Sequence, residues 1–416
     1  MHTESRRLTF FLASIAALTS LSIDMSLPGV PAIEHELHRS AGNGSLTLSL
    51  FLAGYALTPL AGGPLADRFG RRPVLLASLL LFAISALACS FASNFSSLLA
   101  FRLIQGCASG VATTLPLAIV RDLLSGTAAR KRMSEVTTIN SVMPLIAPIV
   151  GSWLMIRGSW RLIFGIQAIF AFAIVIVLLL DFTESSSPEQ RQCLHPIDVI
   201  QNYRRLLSNP IFMGYAVMYA LTFACMFSFI SASPLILMQR MHVQRSDYTL
   251  LFSLIGIGTI LGSFFSALLY GRKISVHRIM TIGLVLMTIA SLMTCSLQMA
   301  GVRRPSSILP FVFLTFLGFG LTGPTATMEA LEPVPHLAGS ASGVLRSILM
   351  IFGSGVSAFL AAYCGRHFQR AETATTLTMS VTALCALSIY FLKLRGLPEI
   401  ARNHRVLYSN KIEGTE

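Results

Sequence analysis

Twelve apolar runs, each long enough to cross a bilayer as a helix, constrain this 416-residue chain more than any other feature. They fall at about 9–30, 46–66, 74–93, 98–120, 134–155 and 161–181, and again at 210–232, 247–270, 278–298, 307–328, 339–362 and 373–394. A backbone amide in hydrocarbon finds no water, so a single segment can satisfy its own polar groups there only as a helix. Twelve spans of about 20 residues take about 240 residues and leave short connections. Composition agrees, with 54% hydrophobic and 12% charged residues, where soluble domains carry about 25% charged. A soluble enzyme and a disordered scaffold are both excluded. The expected fold is all-α, a polytopic membrane protein.

The formal net charge of +13 needs a physical account. Nucleic-acid binders gather Lys and Arg on one face with interleaved aromatics, whereas here the basic residues lie scattered between apolar runs. No nucleic-acid partner is expected, and the lipid bilayer is. With a cytoplasmic N-terminus, the inner segments hold twenty Lys and Arg, the outer segments nine, and two (Arg102 and Arg346) lie within runs. Positive charge is retained on the cytoplasmic side, so both termini are expected there, with the chain multi-pass in a bacterial inner membrane. Ser5-Arg6-Arg7 faintly resembles a twin-arginine export signal, but Thr9 breaks that pattern and no cleavage site follows, so the first run is expected to stay as a span.

The polar stretch 182–209 divides the chain into a six-span bundle over 1–181 and a second over 210–416, which ends in a short cytoplasmic tail. The loop after span 2, Asp67-Arg68-Phe69-Gly70-Arg71-Arg72, has a basic counterpart after span 8 in Gly271-Arg272-Lys273-Ile274-Ser275-Val276-His277-Arg278. A duplicated transporter with pseudo-two-fold symmetry places its loops this way.

Other chemistry is absent from the sequence. The seven cysteines (among them Cys193) form no C-x-x-C pair and read as small hydrophobes, with no disulfide framework. His35-Glu36-Leu37-His38 lacks metalloprotease spacing and reads as a solvated outer loop, so no metal site is expected. Gly256, Gly258 and Gly262 in span 8, with Gly318, Gly320 and Gly323 in span 10, follow no strand and suit helix packing instead of a dinucleotide loop. No G-x-x-x-x-G-K-[ST] occurs, so ATP is not the energy source.

The segment Gly63-Pro64-Leu65-Ala66-Asp67-Arg68-Phe69-Gly70-Arg71-Arg72-Pro73 resembles the G-x-x-x-D-R-x-G-R-R loop signature of the major facilitator superfamily, and it falls between spans 2 and 3 as in that family. Gly70 permits a tight turn, while Asp67 and the arginines can make charge-assisted bonds across the inner surface. The resemblance implies a cytoplasmic gate of Gly63, Asp67, Arg68, Gly70, Arg71 and Arg72, with Asp67 facing the start of span 11 near Gly339 in one state. Ser22-Ile23-Asp24-Met25-Ser26-Leu27-Pro28-Gly29-Val30-Pro31-Ala32-Ile33 resembles the first-span signature of the Bcr/CflA branch of drug:proton antiporters. Arg102-Leu103-Ile104-Gln105-Gly106, Val120-Arg121-Asp122-Leu123, Phe227-Ser228-Phe229-Ile230-Ser231-Ala232-Ser233-Pro234 and Ala338-Gly339-Ser340-Ala341-Ser342 fit the same branch, and Arg121 and Asp122 join the implied gate. The antiporter pattern G-x-x-x-G-P-x-x-G-G of span 5 is only partly kept: Met143, Ala147 and Ser152 replace three glycines, while Pro148 and Gly151 remain. Pro144 and Pro148 can kink that span. Pro59 stands in span 2 where the branch commonly has glutamine.

Asp24 is the one acidic residue deep within a run. A centred aspartate costs about 2.5–3.5 kcal/mol on insertion scales, so it is expected to face a cavity or a partner, and the resemblance implies a role in proton coupling. Arg102 is expected to hold Asp24 or polarise the cavity, and Arg346 to reach back toward the cytoplasm. Glu135, Glu329 and Asp181, near cytoplasmic span ends, read as solvated carboxylates. Tyr55, Gln105, Phe223 and Phe227 are the expected substrate-cavity residues. These readings make the chain a transporter and not an enzyme: a functional monomer exporting a small amphipathic substrate, such as a phenicol or bicyclomycin, in exchange for protons. No cofactor is expected beyond the proton as coupling ion. Export of a purine nucleoside or siderophore, and proton symport, are the alternatives.

Overall fold

Proline placement decides where these spans depart from straight helices. In a computed structural model, which describes residues 6–185, 196–302 and 304–395, span 1 is broken. Helix α1 (Arg6–Asp24) stops, Leu27–Gly29 form one tight turn, and α2 (Val30–Glu36) resumes. Pro28 has no N–H to offer the carbonyl of Asp24, nor Pro31 that of Leu27, so the helix cannot run on unchanged. Span 2 bends by 44° between α3 (Leu46–Leu57) and α4 (Pro59–Phe69). Pro64 deprives the Leu60 carbonyl of its partner, and the Tyr203 hydroxyl donates to that oxygen at 2.5 Å. In span 10, Pro324 likewise frees the Gly320 carbonyl, which accepts from Ser263 Oγ at 3.3 Å.

The other spans are α5 (Arg71–Ser90), α6 (Phe95–Leu123), α7 (Gly126–Arg157) and α8 (Trp160–Asp181). Past an amphipathic helix α9 (Pro196–Leu207) come α10 (Pro210–Ser233, continued by a wider π turn to Arg240), α11 (Arg245–Gly271), α12 (Val276–Met299), α13 (Pro305–Leu331), α14 (Ala338–Arg366) and α15 (Ala371–Ile389, with a π turn to Leu394). Eleven of these units are long and apolar enough to cross a membrane unaided, and the bent α3–α4 pair supplies a twelfth. Residues 186–195 of the linker, with Cys193, and the tail from 396 on lie outside the described residues. The six described cysteines are free.

Helix neighbours in the first half recur six spans later. Span 2 packs on span 4 and span 8 on span 10; spans 3 and 6 pair as do 9 and 12; spans 1 and 5 pair as do 7 and 11. The halves meet along α3–α14 and α7–α11, which the same symmetry relates. Glycine makes the closest crossings possible: a Cβ on Gly106 would overlap the Phe51 carbonyl, and one on Gly262 the Leu317 carbonyl. His35 and Glu36 end helix α2 instead of lying in a loop, and the Glu36 carboxylate accepts from Trp160 Nε1 at 2.7 Å and pairs with Arg161 at 3.1 Å.

The Tyr203–Leu60 bond gives a direct test. Tyr203→Phe leaves a carbonyl without a donor, which costs about 1–3 kcal/mol. Thermal unfolding in detergent is expected at lower temperature for that variant. Adding Pro64→Ala, which restores an N–H four residues beyond Leu60, is expected to recover much of the loss in a double-mutant cycle.

Candidate functional site

Asp24 sits at the C-terminal end of α1, where the break leaves carbonyls without helical partners. Side chains from spans 4 and 6 and from the break itself take their place. Gln167 Nε2 donates to the Leu21 carbonyl at 3.2 Å, Arg102 Nη2 to that of Ser22 at 3.1 Å, and Ser26 Oγ to those of Ser22 and Ile23 at 3.1 and 2.8 Å. Arg102 is fully buried. Its Nε donates to the Thr47 carbonyl at 3.1 Å and its Nη1 to Gln105 Oε1 at 2.8 Å, while the Phe51 and Phe164 rings lie 4.6 and 5.5 Å from the guanidinium carbon. Gln105 Nε2 donates in turn to Gln167 Oε1 at 2.9 Å.

Arg102 therefore does not pair with Asp24. A cation at the negative end of a helix is stabilised by its dipole, and the planar guanidinium reaches three acceptors at once. Gln105, expected in the cavity, belongs to this buried network, and Gln167 is a member that sequence reasoning missed. The sequence signal for it is modest: one amide side chain inside an otherwise apolar run.

The Asp24 side chain is 6% exposed and makes no hydrogen bond or ion pair with the described residues. It lies at the seam of the two halves. A Cβ on Gly151 of α7 would overlap the Met25 carbonyl, and Tyr248 of α11, bonded to Ser233 at 3.0 Å, lies within electrostatic reach of Asp24. Pro148 and Ala147 are buried in the same helix and Pro144 half-buried, and α7 continues as one helix through both prolines.

A cavity of about 510 Å³ opens between the halves on the side that carries α9 and the Asp67–Arg72 turn, here called the linker side. Its deep end is Arg346, Thr113 and, behind them, Tyr55: Arg346 Nη1 donates to Tyr55 Oη at 3.3 Å, and Tyr55 Oη and Thr113 Oγ1 are 3.0 Å apart. Arg346 thus points into the cavity instead of toward the membrane surface, because Tyr55 holds it from the opposite half. Phe223 and Phe227 stack at 5.5 Å but do not line this cavity. Phe223 rests against Gly353, seven residues further along α14 than Arg346, in the layer that closes the far side. Asp24 too lies beyond the cavity, toward that closed layer. Thr19 of α1 and Ser109 of α6, with oxygens 2.9 Å apart, stand between it and Thr113, whose hydroxyl donates to the Ser109 carbonyl at 2.8 Å.

The far side is sealed by hydroxyls and amides. Ser49 Oγ donates to the Ser354 carbonyl and Ser354 Oγ to that of Ser49, both at 2.9 Å, and Ser357 Oγ donates to the Ser45 carbonyl at 3.1 Å. The buried Glu34 carboxylate accepts from the amides of Gly42 and Gly44 at 2.8 and 2.7 Å and from Gln239 of the other half at 2.8 Å.

On the linker side the charges stay within the first half. Arg71 pairs with Asp67 at 2.6 Å and with Asp122 at 2.9 Å. Gly70, at φ 98°, turns the chain where a side chain would be strained, and the new helix N-terminus it begins offers the Arg71 and Arg72 amides to Glu184 at 2.9 and 3.2 Å. An anion at that position is favoured by the helix dipole. Glu184, in the linker, carries no motif and went unread in the sequence. Arg72 also donates to the Leu179 carbonyl at 3.1 Å, Arg68 is exposed against Phe69, and Arg121 and Gly63 line the cavity. Asp67 and Gly339, from opposite halves, both line the cavity. Burial and the nearby Asp67 carboxylate push the Tyr203 phenol up, which keeps it a donor to Leu60. One of the carboxylates read as solvated is not, since Glu329 is buried; Glu135 stays partly exposed while pairing with Arg132 at 3.2 Å and accepting from Thr9 at 3.1 Å.

Comparison with known proteins agrees with this architecture. Residues 12–356 match the family model described as Major Facilitator Superfamily. An uncharacterized MFS-type transporter of Bacillus subtilis strain 168, YdgK, is 31% identical over 357 residues, covering 85% of this chain and 88% of that protein. The multidrug resistance protein MdtL of Escherichia fergusonii is 29% identical over 360 residues, 86% and 89% of the two chains. Among solved structures, a bacterial homolog of the human lysosomal transporter Spinster, in an inward-facing and occupied conformation, superposes with a TM-score of 0.73 at 17% identity, over 94% of this chain and 97% of that one. A family model spanning most of the chain, on twelve spans arranged as two matching bundles, makes this protein a multi-pass transporter of the major facilitator superfamily.

Proposed function

We propose that the protein exports small amphipathic compounds, antibiotics among them, across the bacterial inner membrane in exchange for protons, with the linker side and both termini in the cytoplasm. The observation that carries the reading is the Asp24 carboxylate. It stands at a helix break on the seam between the halves, without a fixed partner, between a cavity open to one side and a seal on the other. Discontinuous helices at a repeat interface are where transporters of this kind hold coupling ions. The likeness to MdtL, a multidrug resistance protein by name, supports the substrate class.

In this scheme the far side opens by parting the Ser49–Ser354 and Glu34–Gln239 contacts, which wets Asp24 and lets it take a proton. Closure carries the proton toward the linker-side cavity. Its release there favours cargo binding, and the antiport is the mutual exclusion of the two ligands. Arg102 acts as a positioning residue, holding the helix end that presents Asp24.

Everted membrane vesicles with an imposed acid interior and a pH-sensitive dye test this reading. A phenicol or bicyclomycin added outside is expected to dissipate the gradient in vesicles containing the protein and not in matched vesicles lacking it. Dissipation by neither compound, nor by any member of a wider amphipathic panel, overturns drug:proton exchange. Counterflow of labelled nucleoside or xyloside without proton movement would place the protein in another transport class.

A further inference from the structure

The cavity is unevenly charged. Among the described residues its lining holds Arg71, Arg121 and Arg346 against a single carboxylate, Asp67. Asp67 is already paired with Arg71 at 2.6 Å, and Arg71 also engages Asp122 at 2.9 Å, so that cluster closes on itself. Among the described residues Arg121 makes only a 3.4 Å contact, to the Leu117 carbonyl of its own helix. Arg346 makes only the 3.3 Å bond to Tyr55, and neither arginine has a carboxylate partner among the described residues. Arg346 lies eight residues into α14, roughly 12 Å from its start at 1.5 Å per residue. The N-terminus of α14 also opens on the cavity, through Gly339 and Ser340, with no acidic residue in its first turn and no side-chain cap. A low-dielectric pocket focuses such a field. Asp24, the carboxylate deep in the first half, lies outside the cavity in this conformation. Leu115, Leu117 and Met133 give the walls an apolar character.

We propose that the cavity selects anionic amphipaths, with a carboxylate or similar oxyanion seated on the Arg346 guanidinium, which Tyr55 holds from behind, and an apolar body along the α6 wall. The guanidinium fork matches two oxygens of one carboxylate, which a lysine ammonium cannot do. A cationic compound of the same shape meets two unpaired arginines and no free carboxylate. The proposal rests on the cavity being the cargo site, as in the reading above, and it narrows the cargo by charge.

The test uses one scaffold with three heads: 4-phenylbutyrate, 4-phenylbutyramide and 4-phenylbutylammonium. Each is titrated calorimetrically into the protein in nanodiscs at neutral pH, with empty nanodiscs subtracted. The carboxylate is expected to bind roughly tenfold or more tighter than the amide, as a bidentate charge-assisted contact implies, with the ammonium weakest. Arg346→Gln is expected to erase the carboxylate's advantage, Arg346→Lys to keep part of it, and Arg366→Gln, which removes an exposed charge at the far end of α14 outside the cavity, to leave it intact. The ranking on the unaltered protein stands even if an Arg346 variant fails to fold. Equal or tighter binding of the amide or ammonium, undetectable carboxylate binding, or an advantage that survives in folded Arg346→Gln overturns the proposal. The vesicle assay is separate: carboxylate preference without proton movement overturns the exchange reading and leaves this one standing, and proton exchange without the preference does the reverse.

Discussion

Replacing Asp24 by Asn is expected to abolish cargo-driven proton release while leaving the protein folded. Asparagine matches the aspartate in shape but cannot give up a proton, so it holds the site permanently in a neutral form. In everted vesicles the cargo-induced collapse of the gradient is expected to fall by roughly tenfold or more, to the background of protein-free vesicles. Exchange of labelled for unlabelled cargo is expected to be weak at every pH, because a permanently neutral site binds cargo as the protonated form does. The unaltered protein should bind cargo more weakly as the pH falls through the carboxylate's titration, by roughly tenfold per unit where one proton excludes one cargo. The Asn variant should show no such dependence. Stability separates this from a structural defect. Asp24 has no ion pair to lose, and a buried charge without a partner is a cost, so the variant is expected to melt no lower than the unaltered protein. If Asp24→Asn still moves protons with cargo, another group carries the coupling.

The second large effect concerns the far-side seal. Ser49 and Ser354 have their hydroxyl oxygens 3.3 Å apart across the two halves, and a disulfide needs side chains that nearly touch with Cβ atoms about 3.5–4.5 Å apart. The double variant Ser49→Cys/Ser354→Cys, oxidised in the membrane, is expected to lock the linker-side-open form and reduce transport roughly tenfold or more, since alternation requires that seal to part. Reduction with dithiothreitol should restore it, and neither single variant should respond to oxidant. Unchanged transport in a fully cross-linked sample would mean that the halves need not separate along α3 and α14.

The spans were legible because hydrocarbon leaves the backbone one solution, and each apolar run marks a helix. Their ends were less so. The run at 134–155 lies within a helix from Gly126 to Arg157, because its first turns, with Arg130, Lys131 and Arg132, are helical in water and carry no apolar signal. The break after Asp24 and the bend at Pro59 were written in Pro28, Pro31, Pro59 and Pro64, but a proline marks a missing donor without showing what replaces it. The site divided the same way. Motif residues such as Asp67, Gly70 and Arg71 occupy the turn their sequence names. Partners brought from distant spans were not readable: Gln167 for the α1 end, Glu184 for the α5 start, Tyr55 for Arg346. Each answers a local lack that sequence reveals with a side chain that only the tertiary fold selects. Phe223 and Phe227 were misplaced for a different reason, since aromatic residues of one type serve equally as cavity wall or as seal.

Helix α9 bears on what the transporter can carry. It packs on α10 and α14 of the second half while Tyr203 grips Leu60 of the first, and Val199, Asn202 and Tyr203 form part of the cavity lining. A bar fastened at both ends across the doorway limits how wide it opens. On the export reading proposed above, such a tie favours compounds of drug size over peptides and folded cargo.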